Sequence, residues 1–176
     1  MRVISGKYKG KIIKGFNIDG TRPTMDRVKE SLFASIQNYI SDSVVLDLFA
    51  GSGALGIEAI SNGSKKCYFV DNNKIAINTI NENTKKIDNC IILNKDYKEA
   101  LKYFYDNKIT FDIILLDPPY KLNLLNEAIK LIEEYKLLNE NGIMVCEYEN
   151  YDIISNYELI KNKKYGSKYI NIYKNH

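Results

Sequence analysis

Apolar residues along this chain alternate between two rhythms. In "PTMDRVKESLFASIQNYI" (residues 23–40), Val28, Leu32, Phe33, Ile36 and Ile40 recur at helical spacing, and Thr24 stands where an N-cap belongs. The next run, "VVLDLF" (44–49), is continuously apolar, as a strand buried on both faces must be. "GALGIEAISNG" then predicts a helix closed by Gly63, "KCYFVD" a strand, and "NKIAINTINENTKKI" a helix. "CIILN" and "YKEALKYFY" repeat the pair, as do "FDIILLD" and "LNEAIKLIEEYKLL", the last helix stopped by "NENG". "GIMVCEYE" is a further strand, and "YELIKNKKY" and "KYINIYK" are two more, joined at Gly166. At the other end, "RVIS", a turn near "GKYKG", and "KIIKGF" with "NIDG" predict a short hairpin.

Strand and helix alternate four times, which argues for a mostly parallel sheet with helices on both faces. The last two strands have no helix between them and fit an antiparallel hairpin at one edge. The 176 residues suffice for one domain with a small appendage, divided here into a basic β-hairpin extension over 1–22 and a main domain over 23–176. No internal repeat interrupts the pattern.

Composition narrows the chemistry. Cys67, Cys90 and Cys146 lie far apart, form no C-x-x-C pair and read as reduced core residues. The one histidine, His176, is the last residue, so the sequence offers no metal site and no histidine catalysis. No apolar run approaches the roughly 18 residues of a membrane span, and the start lacks a signal peptide's apolar core. A cytoplasmic protein without membrane partners is expected. The net charge of +3 conceals an asymmetry: residues 1–30 hold eight Lys/Arg against three acids, including all three arginines, Arg2, Arg22 and Arg27. A basic face beside a neutral domain suits a polyanion such as nucleic acid.

"DLFAGSGALG" follows the first strand. Gly51, Gly53 and Gly56 match G-x-G-x-x-G between strand and helix, where glycines permit a tight turn and close ligand approach. Asp71 ends the next strand, where an acid can bind ribose hydroxyls. This much fits a dinucleotide or S-adenosylmethionine. Three features separate them. Asp47 precedes the loop, where it would face a pyrophosphate unfavourably but suits an ammonium and a sulfonium. Asp96 follows the third strand, where it can accept from an adenine amine. A nicotinamide dehydrogenase would want a proton donor, and the only histidine is terminal.

"FDIILLDPPY" carries the second motif. Pro118 and Pro119 fix their own φ and keep the preceding residue extended, so the chain leaves the strand rigidly. Asp117 and a neighbouring main-chain carbonyl then form a pair of acceptors that matches the two N–H donors of an exocyclic amine. Tyr120 can stack on the base, worth roughly 1–3 kcal/mol.

"DLFAGSGALGIEA" with "DPPY" resembles a class I S-adenosylmethionine-dependent methyltransferase acting on a nucleobase amine. "SGKYKGKIIK", "TRPTMDRVKESLF" and "KKYGSKY" extend the resemblance, along essentially the whole chain, to the RsmD family of bacterial 16S rRNA guanine-N2 methyltransferases. The family implies a Rossmann-like α/β fold: a seven-stranded, mostly parallel sheet with an antiparallel edge hairpin and an N-terminal hairpin. It implies 16S rRNA as substrate, as a ribonucleoprotein or in the small subunit, and a monomeric enzyme. Residues and resemblance together assign catalysis to Asp117, Pro118, Pro119 and Tyr120. They assign the cofactor to Asp47, Phe49, Ala50, Gly51, Ser52, Gly53, Asp71, Asn72, Asp96, Tyr97 and Asp117, and nucleic acid to Arg2, Lys7, Lys9, Lys11, Arg22 and Arg27. Arg22 and Arg27 are also expected to shape the pocket. The alternatives are another nucleobase amino-methyltransferase, acting on adenine N6 or on guanine N2 of another RNA or DNA, and an idle RNA-binding assembly factor.

Overall fold

The computed structural model describes residues 1–15, 26–119, 124–149 and 152–176. Its elements are α1 (Asp26–Ile40), β1 (Val44–Asp47), α2 (Ala54–Ser61), β2 (Lys66–Asp71), α3 (Lys74–Asn83), β3 (Cys90–Asn94), α4 (Tyr97–Asp106), β4 (Phe111–Leu116), α5 (Leu125–Glu134), β5 (Leu138–Tyr148), β6 (Glu158–Tyr165) and β7 (Lys168–Lys174). The strands form one sheet in the order β3-β2-β1-β4-β5-β7-β6. β1 to β5 pair in parallel, and β7 runs antiparallel to both neighbours. The α/β sheet with its reversed edge hairpin is the architecture the alternating pattern predicts.

Alternation along each strand splits the core. Val45, Phe69, Ile113, Leu115, Val145 and Ile172 face one side and pack with α1, α2 and α3. Leu46, Tyr68, Ile114, Leu116, Met144 and Cys146 face the other and pack with α4 and α5. Strands covered on both faces must be apolar throughout, which is why their sequences read as unbroken runs.

One expectation needs correction. The last predicted helix does not reach "NENG": α5 ends at Glu134, Lys136 turns the chain at φ 53°, and β5 begins at Leu138. Leu137 and Leu138 are buried at 1% and 3% exposure, so they extend the apolar pattern although the helix has ended. "NENG" lies inside β5, where the pairing with β4 shifts register and Asn141 adopts φ 64°. The N-terminal hairpin forms as a short pairing: Arg2 and Ile12 make an antiparallel bridge, Val3 N–H donates to Lys11 O and Ile13 N–H to Met1 O. It also docks on α2: Ile4 and Ser5 N–H donate to the Glu58 carboxylate, and Lys7 N–H donates to Ser61 O. Gly6, at φ +85°, passes so close that a Cβ there would lie 1.9 Å from Ser61 O. Val3 and Ile13 join the core. "NIDG", the hairpin's last residues before it, and the Pro23–Thr24 helix start lie outside the described residues.

Candidate active site

β1 has β2 on one side and β4 on the other, so strand order reverses between β1 and β4. Ligands in open α/β sheets bind beyond the carboxyl ends of strands at such a point. Asp47 ends β1 there and is 1% exposed. Its Oδ2 accepts from Gly56 N–H at 3.0 Å, within the first turn of α2. Desolvation by burial lifts its carboxyl to about 7; the Gly56 bond opposes the shift and the charge of Asp71 adds to it.

The loop from β1 to α2 passes through two left-handed glycines, Gly51 (φ 57°) and Gly53 (φ 83°). Gly56 lets α2 lie against the sheet: a Cβ there would sit 2.3 Å from Phe69 Cε1 and 2.7 Å from Cys67 Sγ. Asp71, at the end of β2, accepts from Gly51 N–H at 2.9 Å and from Asn73 N–H at 2.9 Å, so it ties the glycine loop to its own turn. Burial raises its pKa above the ordinary carboxylate value. Ala50 is buried with its N–H on Val70 O, Ser52 is half-buried, and Asn72 is exposed. Asp96 caps α4, accepting from Lys98 N–H. The Phe49 and Tyr97 rings meet at a tilt of 45° with their centres 5.6 Å apart, and the Tyr97 hydroxyl donates to Glu127.

Asp117 leaves β4 beside this loop, followed by buried Pro118 and exposed Pro119. Burial, then the charge of Glu147 on β5, push its carboxyl well above the usual carboxylate range; Lys168 pulls it the other way. Tyr120 and Arg22 lie outside the described residues. Thus Asp47, the loop, Asp71, Asp96 and Asp117 share one edge of the sheet. Arg2, Lys7, Lys9 and Arg27 are exposed and Lys11 half-exposed. Lys29 is different: counted among the basic residues, it is 0% exposed and paired with Glu58. It adds nothing to a basic surface.

Three participants were given no role in the site by the sequence, although Lys168 lies in "KKYGSKY". Glu147 and Lys168 adjoin Asp117, and Asn83 of α3 donates to Ser52 O and to Lys14 O, joining the glycine loop to the N-terminal segment. Asn83 is 3% exposed in the last turn of α3. A polar residue that close to full burial needs hydrogen-bond partners, and that is the signal its position carries.

A model of the family described as conserved hypothetical protein 95 matches residues 1–174. The ribosomal RNA small subunit methyltransferase D of Haemophilus influenzae is 35% identical over 182 residues, covering 99% of this chain and 94% of that one. Among solved structures, the Escherichia coli protein yhhF superposes with a TM-score of 0.86 at 26% identity, over 100% of this chain and 98% of that one. An RNA methyltransferase from Salinibacter ruber in complex with S-adenosyl-L-homocysteine shares the fold, with a TM-score of 0.66 at 14% identity over 87% and 93% of the two chains.

Proposed function

From the premise that this chain belongs to the RsmD family, we propose that it transfers a methyl group from S-adenosylmethionine to the exocyclic N2 amine of a guanine in 16S rRNA. The observation that carries the reading is the row of acids at the switch point, with rigidly held Asp117 next to buried Asp47. A buried carboxylate at that depth suits a cation and would repel a pyrophosphate. The two left-handed glycines leave the loop backbone free to approach the ligand, and Asp71, which holds that loop through Gly51 N–H, is assigned to the ribose.

When bound, S-adenosylmethionine supplies both the methyl group and, in its sulfonium, the leaving group. Asp117 and the Pro118 carbonyl accept the two amine N–H bonds and turn the nitrogen lone pair out of ring conjugation. Bound there, the cofactor would give its methyl to that nitrogen, the C–S electron pair staying on sulfur as the thioether leaves, and the methylated amine would shed one proton to water. Positioning and electrostatics supply the rate, and no covalent enzyme intermediate is required. The guanine must be unpaired or flipped out for its amine to reach Asp117. The substrate is taken to be a small-subunit ribonucleoprotein in the cytoplasm and the enzyme a monomer. The direct test is transfer from labelled cofactor to ribosomal RNA followed by nuclease mapping; label on any base other than guanine, or none, rejects the reading.

The pKa of Asp47 gives a second test. The cationic cofactor prefers the ionised acid, so its affinity should fall by roughly tenfold per pH unit below about 7. Folding responds in the opposite sense. The folded state holds this proton more tightly than the unfolded chain, so Asp47's contribution to stability improves as pH falls from about 7 toward 3.8. Calorimetry between pH 8 and 5 separates the two effects, and an affinity flat across that range would remove Asp47 from the cofactor site.

Arg2, Lys7 and Lys11 are assigned to the RNA backbone. Reversing all three to glutamate should leave cofactor affinity alone and weaken RNA binding. The slope of log K against log salt should flatten by roughly one unit per lost phosphate contact. An unchanged slope would make these residues a solvated face.

A further inference from the structure

The carboxyl of Asp117 has a built environment that the motif does not explain. In the β4–β5 pairing Leu115 lies opposite Val145 and Leu116 opposite Cys146, and one further step brings Asp117 opposite Glu147. In the β5–β7 pairing Glu147 lies opposite Ile170, so Lys168, two residues earlier, occupies the diagonal position on the same face. Lys168 Nζ stands 2.7 Å from Glu147 Oε1, with side-chain exposures of 15% and 6%. That register sets the Glu147 carboxyl beside that of Asp117, where its negative charge favours a proton on Asp117. Two carboxyl groups can share a hydrogen bond only if one of them carries a proton.

We propose, resting on the reading of Asp117 as the amine's acceptor, that Glu147 is a positioning residue: it accepts a hydrogen bond from protonated Asp117, and Lys168 balances its charge. Asp117 then offers the amine a neutral carbonyl oxygen, as an amide side chain would. The arrangement of charges favours the proton on Asp117. Glu147 has the Lys168 ammonium beside it, whereas Asp117 has Glu147 on one side and Asp47 on the other. Among the described residues, Asp47 from β1, Glu147 from β5 and Lys168 from β7 are the charged groups that act on it. A neutral Asp117 also forms no ion pair with the cationic cofactor, so its acceptor oxygen stays aimed at the amine.

Infrared difference spectroscopy of the free full-length protein at pH 7 tests the shared proton without reference to activity. Wild type minus Asp117→Asn should show the carbonyl stretch of a neutral carboxylic acid, and the subtraction removes the contribution of Asp47. Glu147→Gln, whose amide would donate to Asp117 and ionise it, should lose the same band. In methyl transfer, Asp117→Asn should turn over at least about tenfold faster than Asp117→Ala, because its amide N–H donates to Glu147 while its carbonyl faces the amine. Its rate should lack the alkaline decline that wild type shows as the shared proton is lost. Glu147→Gln should lower turnover by at least about tenfold with cofactor affinity unchanged, whereas a merely structural role would move the melting temperature and leave the band and the pH profile alone. Absence of the neutral-acid band from wild type, or an Asp117→Asn protein as inactive as Asp117→Ala, overturns the proposal. A band that behaves as stated in a protein that methylates no ribosomal RNA would leave the carboxyl pair standing and reject the guanine assignment.

Discussion

Asp117→Ala should abolish methyl transfer while leaving cofactor affinity nearly intact. In the proposed reaction the carboxyl is the side-chain acceptor of the amine, and alanine would leave only the Pro118 carbonyl to orient it. Removing one preorganised hydrogen-bonding group from an active site costs on the order of 10²–10³ in rate, or roughly 3–4 kcal/mol. The expected loss here is at the upper end, because the same group sets the lone pair's direction as well as its charge environment. The cofactor should be spared, since its ribose, ammonium and adenine are assigned to Asp71, Asp47 and Asp96. Those acids lie on β1, β2 and the start of α4 and make their own backbone contacts with Gly56, Gly51 and Lys98. Single-turnover rates with saturating cofactor, together with calorimetric affinity, check both halves. A mutant that keeps near wild-type turnover would mean the acid after β4 is an ordinary polar strand end.

The sheet was legible because burial on both faces writes itself into a strand as an unbroken apolar run. The strands over 66–71, 90–94 and 168–174 have the bounds their sequences predict. Asp47, Asp71 and Asp117 could be found because each acid interrupts or ends such a run. Glu147 also ends one, but nothing local distinguishes it from a solvated strand end. Its meaning depends on the β4–β5 register and on a lysine twenty-one residues later, neither of which is a local property of the chain. The docking of the N-terminal hairpin was illegible for a related reason. Ile4, Ser5 and Tyr8 N–H find partners on Glu58 and Ser61 of α2, and that long-range contact is invisible to a pattern of alternating residues. Lys29 did carry a signal. It shares the helical spacing of Phe33, Ile36 and Ile40, which puts a lysine on the apolar stripe of α1.

Lys29→Met should cost the protein about 3–5 kcal/mol of stability, the usual penalty for stranding one member of a buried ion pair. Lys29 and Glu58 have side-chain exposures of 0% and 1%, with Nζ 3.2 Å from Oε1. The ammonium also donates to the Arg2 carbonyl at 2.6 Å. The Glu58 carboxylate accepts from Ile4 N–H at 2.9 Å, Ser5 N–H at 3.2 Å and Asn62 Nδ2 at 3.0 Å. These donors satisfy its lone pairs but carry no full positive charge, so methionine of similar length leaves a buried anion uncompensated. For a chain of this size the loss corresponds to a fall in Tm of roughly 10 °C. Adding Glu58→Gln should recover part of it, because the amide oxygen can still accept from the N-terminal segment without a net charge, and the two effects should be strongly non-additive. The consequence should reach the basic N-terminal segment proposed to bind RNA. Residues 2–5 are bound to α1 and α2 largely through this pair, so Lys29→Met should also expose the first fifteen residues to limited proteolysis before the rest of the chain unfolds. A Lys29→Met protein that melts and digests like wild type would show that the pair contributes nothing net and that Val3 and Ile13 alone hold the segment in place.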